Sequence, residues 1–89
     1  MNYTRIINEF SLTAEQFSKL TTQHLHILWY IVKYDSISPM EAFNDLGITN
    51  LATRISEMRK LGIQIGQAYE GRMNRLGKKV HFMRYRRAA

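Results

Sequence analysis

The 89-residue chain has no cysteine and a single proline. Without thiols, neither a disulfide framework nor a thiolate metal site can form, a composition that fits a reducing compartment. No run approaches the ~18 apolar residues of a membrane span. The N-terminus carries no charged-then-apolar leader. The length predicts one domain, and these absences predict no membrane association and a cytoplasmic location. The chemistry of catalysis is also missing. There is no glycine-rich phosphate loop and no carboxylate pair close on one helical face. The histidines are His24, His26 and His81. His24 and His26 are two residues apart, so a helix points them in different directions, whereas a helical zinc pair needs a spacing such as i, i+4. They read as surface or flank residues. The expectation is a protein that is not an enzyme and holds no metal or cofactor.

Acidic residues are scarce in one half of the chain. Residues 50–89 hold ten basic side chains against Glu57 and Glu70, a net +8, whereas residues 1–49 hold three against five, a net −2. A localised excess of this kind is the footprint of a protein that meets a polyanion.

The stretch from Ser38 to Gly62, SPMEAFNDLGITNLATRISEMRKLG, organises the rest. Ser38 and Glu41 form a capping box, and Pro39 suits the first helical position. Met40, Phe43 and Leu46 follow at helical spacing. Gly47 stands where a chain leaves a helix in the left-handed conformation. Only Ile48 and Thr49 separate it from the next start, which Thr49 or Asn50 can cap. Leu51, Ile55, Met58 and Leu61 give the second helix its apolar side, and Gly62 ends it. Two helices around a tight glycine-bearing turn describe a helix-turn-helix, whose second helix commonly enters the DNA major groove.

Before this stretch, Thr21 or Thr22 caps a helix whose Leu25, Leu28, Trp29 and Val32 mark a buried face, widened by Ile27 and Ile31. Trp29 lies within that stripe and reads as core. Thr13 and Gln16 form another capping box, with Phe17 and Leu20 one helical step apart, so a short helix near 14–20 is expected. Residues 1–12 read as an irregular arm or a short strand built on Ile6, Ile7, Phe10 and Leu12, covering the core or a partner. Residues 35–38 can form an extended crossing with Ile37 inward. After Gly62, residues 63–70 alternate as a strand and residues 80–86 are rich in β-formers. Between them, residues 71–79 read as a long basic loop made pliant by Gly71 and Gly77. The pair makes a hairpin. Its aromatics Tyr69, Phe82 and Tyr85 could stack single-stranded bases if exposed, but read as core.

Wound at 100° per residue, the helix over Asn50–Leu61 sets Thr49, Thr53, Ser56 and Lys60 opposite its apolar side, with Asn50 and Glu57 on one shoulder and Arg54 and Arg59 flanking the stripe. In a groove, Asn50, Thr53, Ser56, Glu57 and Lys60 would face bases, with Thr49 and Arg54 on phosphates. Arg72, Arg75, Lys78, Lys79, Arg84, Arg86 and Arg87 are seven cations with no acid between them. Arg72, Arg75, Lys78 and Lys79 would form the hairpin's contact with the backbone. The functional reading is carried by both parts together.

The order helix, short strand, helix, turn, helix, hairpin resembles a winged helix-turn-helix. Residues 20–87 are similar to a small family of phage and prophage winged-helix proteins. The matching features are the helix entry at Leu20–Gln23, the segment Ser36–Ala42, the block Leu51–Gly62 and the turn Gly77–Lys79 before the strand end at Tyr85 and Arg86. The resemblance implies a mainly α fold with a C-terminal β-hairpin over residues 21–89, preceded by an extension over residues 1–20. It implies a phage regulator acting in the bacterial host cytosol or nucleoid, with double-stranded DNA as partner. A protein-binding winged helix that inhibits or recruits a host factor is the alternative. Residues 1–20 would serve as the contact surface of a homodimer.

Overall fold

The computed structural model describes residues 1–88. Five helices come first: α1 (Tyr3–Phe10), α2 (Ala14–Ser18), α3 (Thr22–Tyr34), α4 (Pro39–Leu46) and α5 (Leu51–Lys60). A two-residue strand, β1 (Ser36–Ile37), lies between α3 and α4, and the hairpin β2 (Ile65–Met73) and β3 (Lys79–Arg87) follows α5. The sheet is antiparallel in the order β1-β3-β2. This is the mixed α and β architecture of a winged helix-turn-helix.

Most of the helix starts are set locally. Thr13, Thr21 and Ser38 each accept a bond from the backbone three residues on, and Gln16, His24 and Glu41 return one to the cap. Each reciprocal pair satisfies two donors that a helix start leaves open. Gly47 ends α4 at φ +69°, and the chain turns at once towards Asn50, which precedes α5 without a side-chain cap bond. Neither Thr49 nor Asn50 therefore supplies the expected capping bond.

The first residues are neither arm nor strand. Asn2 accepts from the Arg5 N–H and starts α1, which seats Ile6 and Phe10, one helical turn apart, in the core. The centre of α3 is the widened stripe: Ile27, Leu28, Ile31 and Val32 are buried, while Leu25 and Trp29 are only partly covered. Ile37, Ile48, Leu51, Ile55, Met58, Ile63, Ile65 and Tyr85 complete one continuous core. Burying each of its large aliphatic side chains contributes roughly 1.5–3 kcal/mol. On α4 the expected apolar face is corrected. Ala42 is buried and Leu46 partly so, but Met40 and Phe43 stand in solvent.

The basic loop is also shorter than its sequence suggests. Residues 71–73 continue β2, and Gly71 pairs with His81 inside the ladder. The turn is confined to residues 74–78. The Asn74 carbonyl accepts from the Gly77 N–H, and the Asn74 N–H donates to the Lys78 carbonyl. The Asn74 side chain accepts from the Leu76 and Lys78 N–H groups. Gly77 takes φ +76°. These bonds describe a three-residue hairpin loop, a type I turn followed by a left-handed glycine. Nine paired residues on each strand give a ribbon of about 30 Å, in a molecule whose long axis is 47 Å.

Candidate nucleic-acid interface

The inner side of α5 is filled by Leu51, Ile55 and Met58, so its opposite side is turned outward. Thr53, Ser56 and Lys60 are exposed there, and Thr49 and Asn50 are exposed at the helix entry. Three of these side chains, Thr49, Thr53 and Ser56, are short and end in hydroxyls, which permits close approach of another molecule's surface and hydrogen bonding either way. Lys60 has no acidic partner among the described residues.

Arg54 and Glu57 occupy a different setting. The Arg54 Nε lies 3.2 Å from Glu57 Oε1, and the same oxygen is 2.9 Å from Nε2 of His24. His24 is not a surface or flank residue. It is buried on α3, and its Nδ1 accepts from the Thr21 N–H. That bond leaves the ring proton on Nε2, directed at Glu57. The carboxylate of Glu57 is thus held by the body of the protein on one side and by Arg54 on the other.

The C-terminal cations separate into two classes. Arg84 donates to Glu70 at 2.6 Å, to Glu41 at 2.9 Å and to Ser36 at 3.0 Å. It clamps the hairpin to β1 and to the start of α4. The hydrogen bond to Glu70, joined by the nearby carboxylates, raises the guanidinium pKa further. The same bond holds the Glu70 carboxyl below the ordinary glutamate range. Arg87 reaches Glu9 and Asp35, both at 3.1 Å. The seven cations therefore do not share one unopposed field. Arg59, on α5, donates to the Ile65 carbonyl and lies over the Tyr85 ring, which fixes α5 against the root of β2.

Arg72, Arg75, Lys78 and Lys79 have no acidic partner among the described residues, and all four are exposed. Arg72 sits in β2, Arg75 and Lys78 in the turn, and Lys79 opens β3. The structure thus gathers the expected site residues into two groups, one on the outer side of α5 and one at the far end of the hairpin. Sequence reasoning overlooked Leu76. It stands 83 % exposed at the turn's apex between Arg75 and Gly77. An apolar residue between Arg75 and Lys78, in the three-residue loop that Asn74 and Gly77 encode, is the signal that would have found it. Of the strand aromatics, Tyr85 alone is core. Phe82 is partly covered, with Arg72 and Arg84 over its ring, and Tyr69 is in solvent.

No helix among the described residues is long and apolar enough to cross a membrane. A family model described as a winged helix-turn-helix domain matches residues 22–84. No curated protein and no solved structure matches the chain.

Proposed function

The chain belongs to the winged helix-turn-helix domain family, and on that footing we propose that it binds double-stranded DNA. In this reading α5 lies in the major groove, with Asn50, Thr53, Ser56 and Lys60 towards base edges and Thr49 and Arg54 on phosphates. The Glu57 carboxylate, held by His24, orients Arg54 more than it reads a base. Arg72, Arg75, Lys78 and Lys79 follow the backbone along the hairpin. Leu76 at the apex is placed to enter a minor groove as an apolar wedge.

One observation carries this reading. The chain's own carboxylates neutralise Arg84 and Arg87, which anchor the hairpin, and leave the cations of its far end without partners. Arg86, exposed at the hairpin's root, also has no acidic partner among the described residues, so the far end gathers four of the hairpin's five unopposed cations, a local excess suited to a polyanion. The resemblance to phage and prophage proteins supports a regulator in a bacterial host.

Selection from a random pool of duplex DNA tests the proposal. A site should be enriched, and Asn50→Ala and Thr53→Ala should each relax preference at named positions by about 1 kcal/mol or less, a fraction of a bidentate contact. If both variants leave the selected preference intact, α5 is not the reading element.

The rival reading, a winged helix that holds a host protein, draws support from the groove between α4 and the hairpin. Pro39, Met40, Val80 and Phe82 line it together with Arg72 and Arg84. A host protein that displaces duplex DNA from the chain would favour it.

A further inference from the structure

The outer edge of β2 has no partner strand among the described residues. The bond from the Asn74 N–H to the Lys78 carbonyl lies one step beyond the Met73–Lys79 pair. Bonded and non-bonded pairs alternate along an antiparallel ladder. The even-numbered residues of β2 therefore bond β3, while Ile65, Gln67, Tyr69, Gly71 and Met73 turn their N–H and C=O groups outward. Such an edge is usually blunted by charged side chains, proline or a bulge. β2 contains no proline, its nine residues pair without interruption, and its only charges, Glu70 and Arg72, are of opposite sign. Tyr69 and Met73, both on the outward-bonding set, are 76 % and 66 % exposed.

The edge is also complementary to itself. Two copies related by a two-fold axis pair residues of the same parity. An axis at Tyr69 would set Ala68 against Glu70 and Gly66 against Arg72, leaving both charges unopposed. An axis at Gly71 sets Glu70 of each copy against Arg72 of the other and Tyr69 of each against Met73 of the other. Opposite charges and apolar pairs facing one another across strands are both stabilising. In this register Gly71 and the Tyr69–Met73 pairs form the bonded positions, about six main-chain hydrogen bonds in all, and Glu70 and Arg72 take the closer, non-bonded positions. Glu70 receives Arg84 of its own chain through Oε2, so Oε1 is the oxygen that meets the second copy's Arg72.

We propose that β2 pairs antiparallel with β2 of a second copy of this chain, about a two-fold axis at Gly71, joining two three-stranded sheets into one of six. The proposed interface lies on the hairpin, whereas α1 turns Ile6 and Phe10 into the chain's own core.

Analytical ultracentrifugation of the whole chain without DNA, from about 1 to 500 μM, tests this separately from DNA binding. The mass should rise with concentration from 10.5 kDa towards twice that value. Arg72→Glu gives a chain with acids at both charged positions, and Glu70→Arg gives one with bases at both. Each alone should associate about tenfold more weakly or worse, and an equimolar mixture should recover association, because every cross-strand pair is then opposite in sign. Met73→Pro should abolish association while keeping the monomer's melting transition, since it removes only an outward N–H. A wild-type chain that stays monomeric throughout overturns the proposal, as does a dimer that neither reversal weakens.

Discussion

Nε2 of His24 lies 2.9 Å from Oε1 of Glu57 and joins the most buried helix to the shoulder of the helix that faces outward. The imidazole is inaccessible, and both of its nitrogens are engaged, one by the Thr21 N–H and one by the carboxylate. It acts as cap and strut at once.

His24→Ala should therefore destabilise the fold by about 1–3 kcal/mol, from two lost hydrogen bonds and the cavity left by a buried ring. Glu57→Gln keeps an acceptor for the ring and should cost less. Urea denaturation of the three proteins checks the order.

Tyr30 ties α3 to α4 through a 2.6 Å bond from its hydroxyl to Asp45 Oδ2. Burial, and then this bond, push the phenol well above the ordinary tyrosine range. The folded chain thus keeps the phenol protonated at pH values where the unfolded chain ionises it. Stability from this contact is complete below the ordinary tyrosine pKa and declines as pH rises beyond it. Tyr30→Phe should cost about 0.5–1.5 kcal/mol at neutral pH and flatten the decline on the alkaline side, both measurable by denaturation across pH.

At the other end of the scale, the Arg84 guanidinium holds the Glu70 carboxyl below its usual range. A depressed acid stabilises the fold above the unfolded pKa, and the contribution disappears as pH falls through the lowered folded value. Carboxyl NMR titration should place Glu70 lower than an ordinary glutamate. Arg84→Met should return it towards the ordinary range and loosen the hairpin's root, seen as faster amide exchange at Tyr85 and Arg86.

Much of this was legible in the sequence because it is local. The Ser38–Glu41 box, Pro39, Gly47 and the period of Leu51, Ile55 and Met58 each specify their own few residues, and they gave the helix-turn-helix. α1 escaped because eight residues with two buried positions do not distinguish helix from arm. The signal was present in Asn2 as a cap and in Ile6 and Phe10 four apart. The hairpin's extent escaped because cations and glycines suggested a loop, while Asn74 and Gly77 at their spacing already encode a turn of three residues. The division of the C-terminal cations could not be read at all. Glu41 and Arg84 are forty-three residues apart, as are Gln16 and Leu61 by nearly the same distance, and only the fold brings such pairs together.

The salt dependence of duplex DNA binding tests the central claim most directly. If Arg54, Arg72, Arg75, Lys78 and Lys79 each neutralise a phosphate, the logarithm of the binding constant should fall with the logarithm of salt concentration at a slope of about −4.5. Lys78→Ala with Lys79→Ala should make the slope about 2 units shallower and weaken all sequences alike. No detectable binding at low salt, or binding that salt leaves unchanged, would contradict the account.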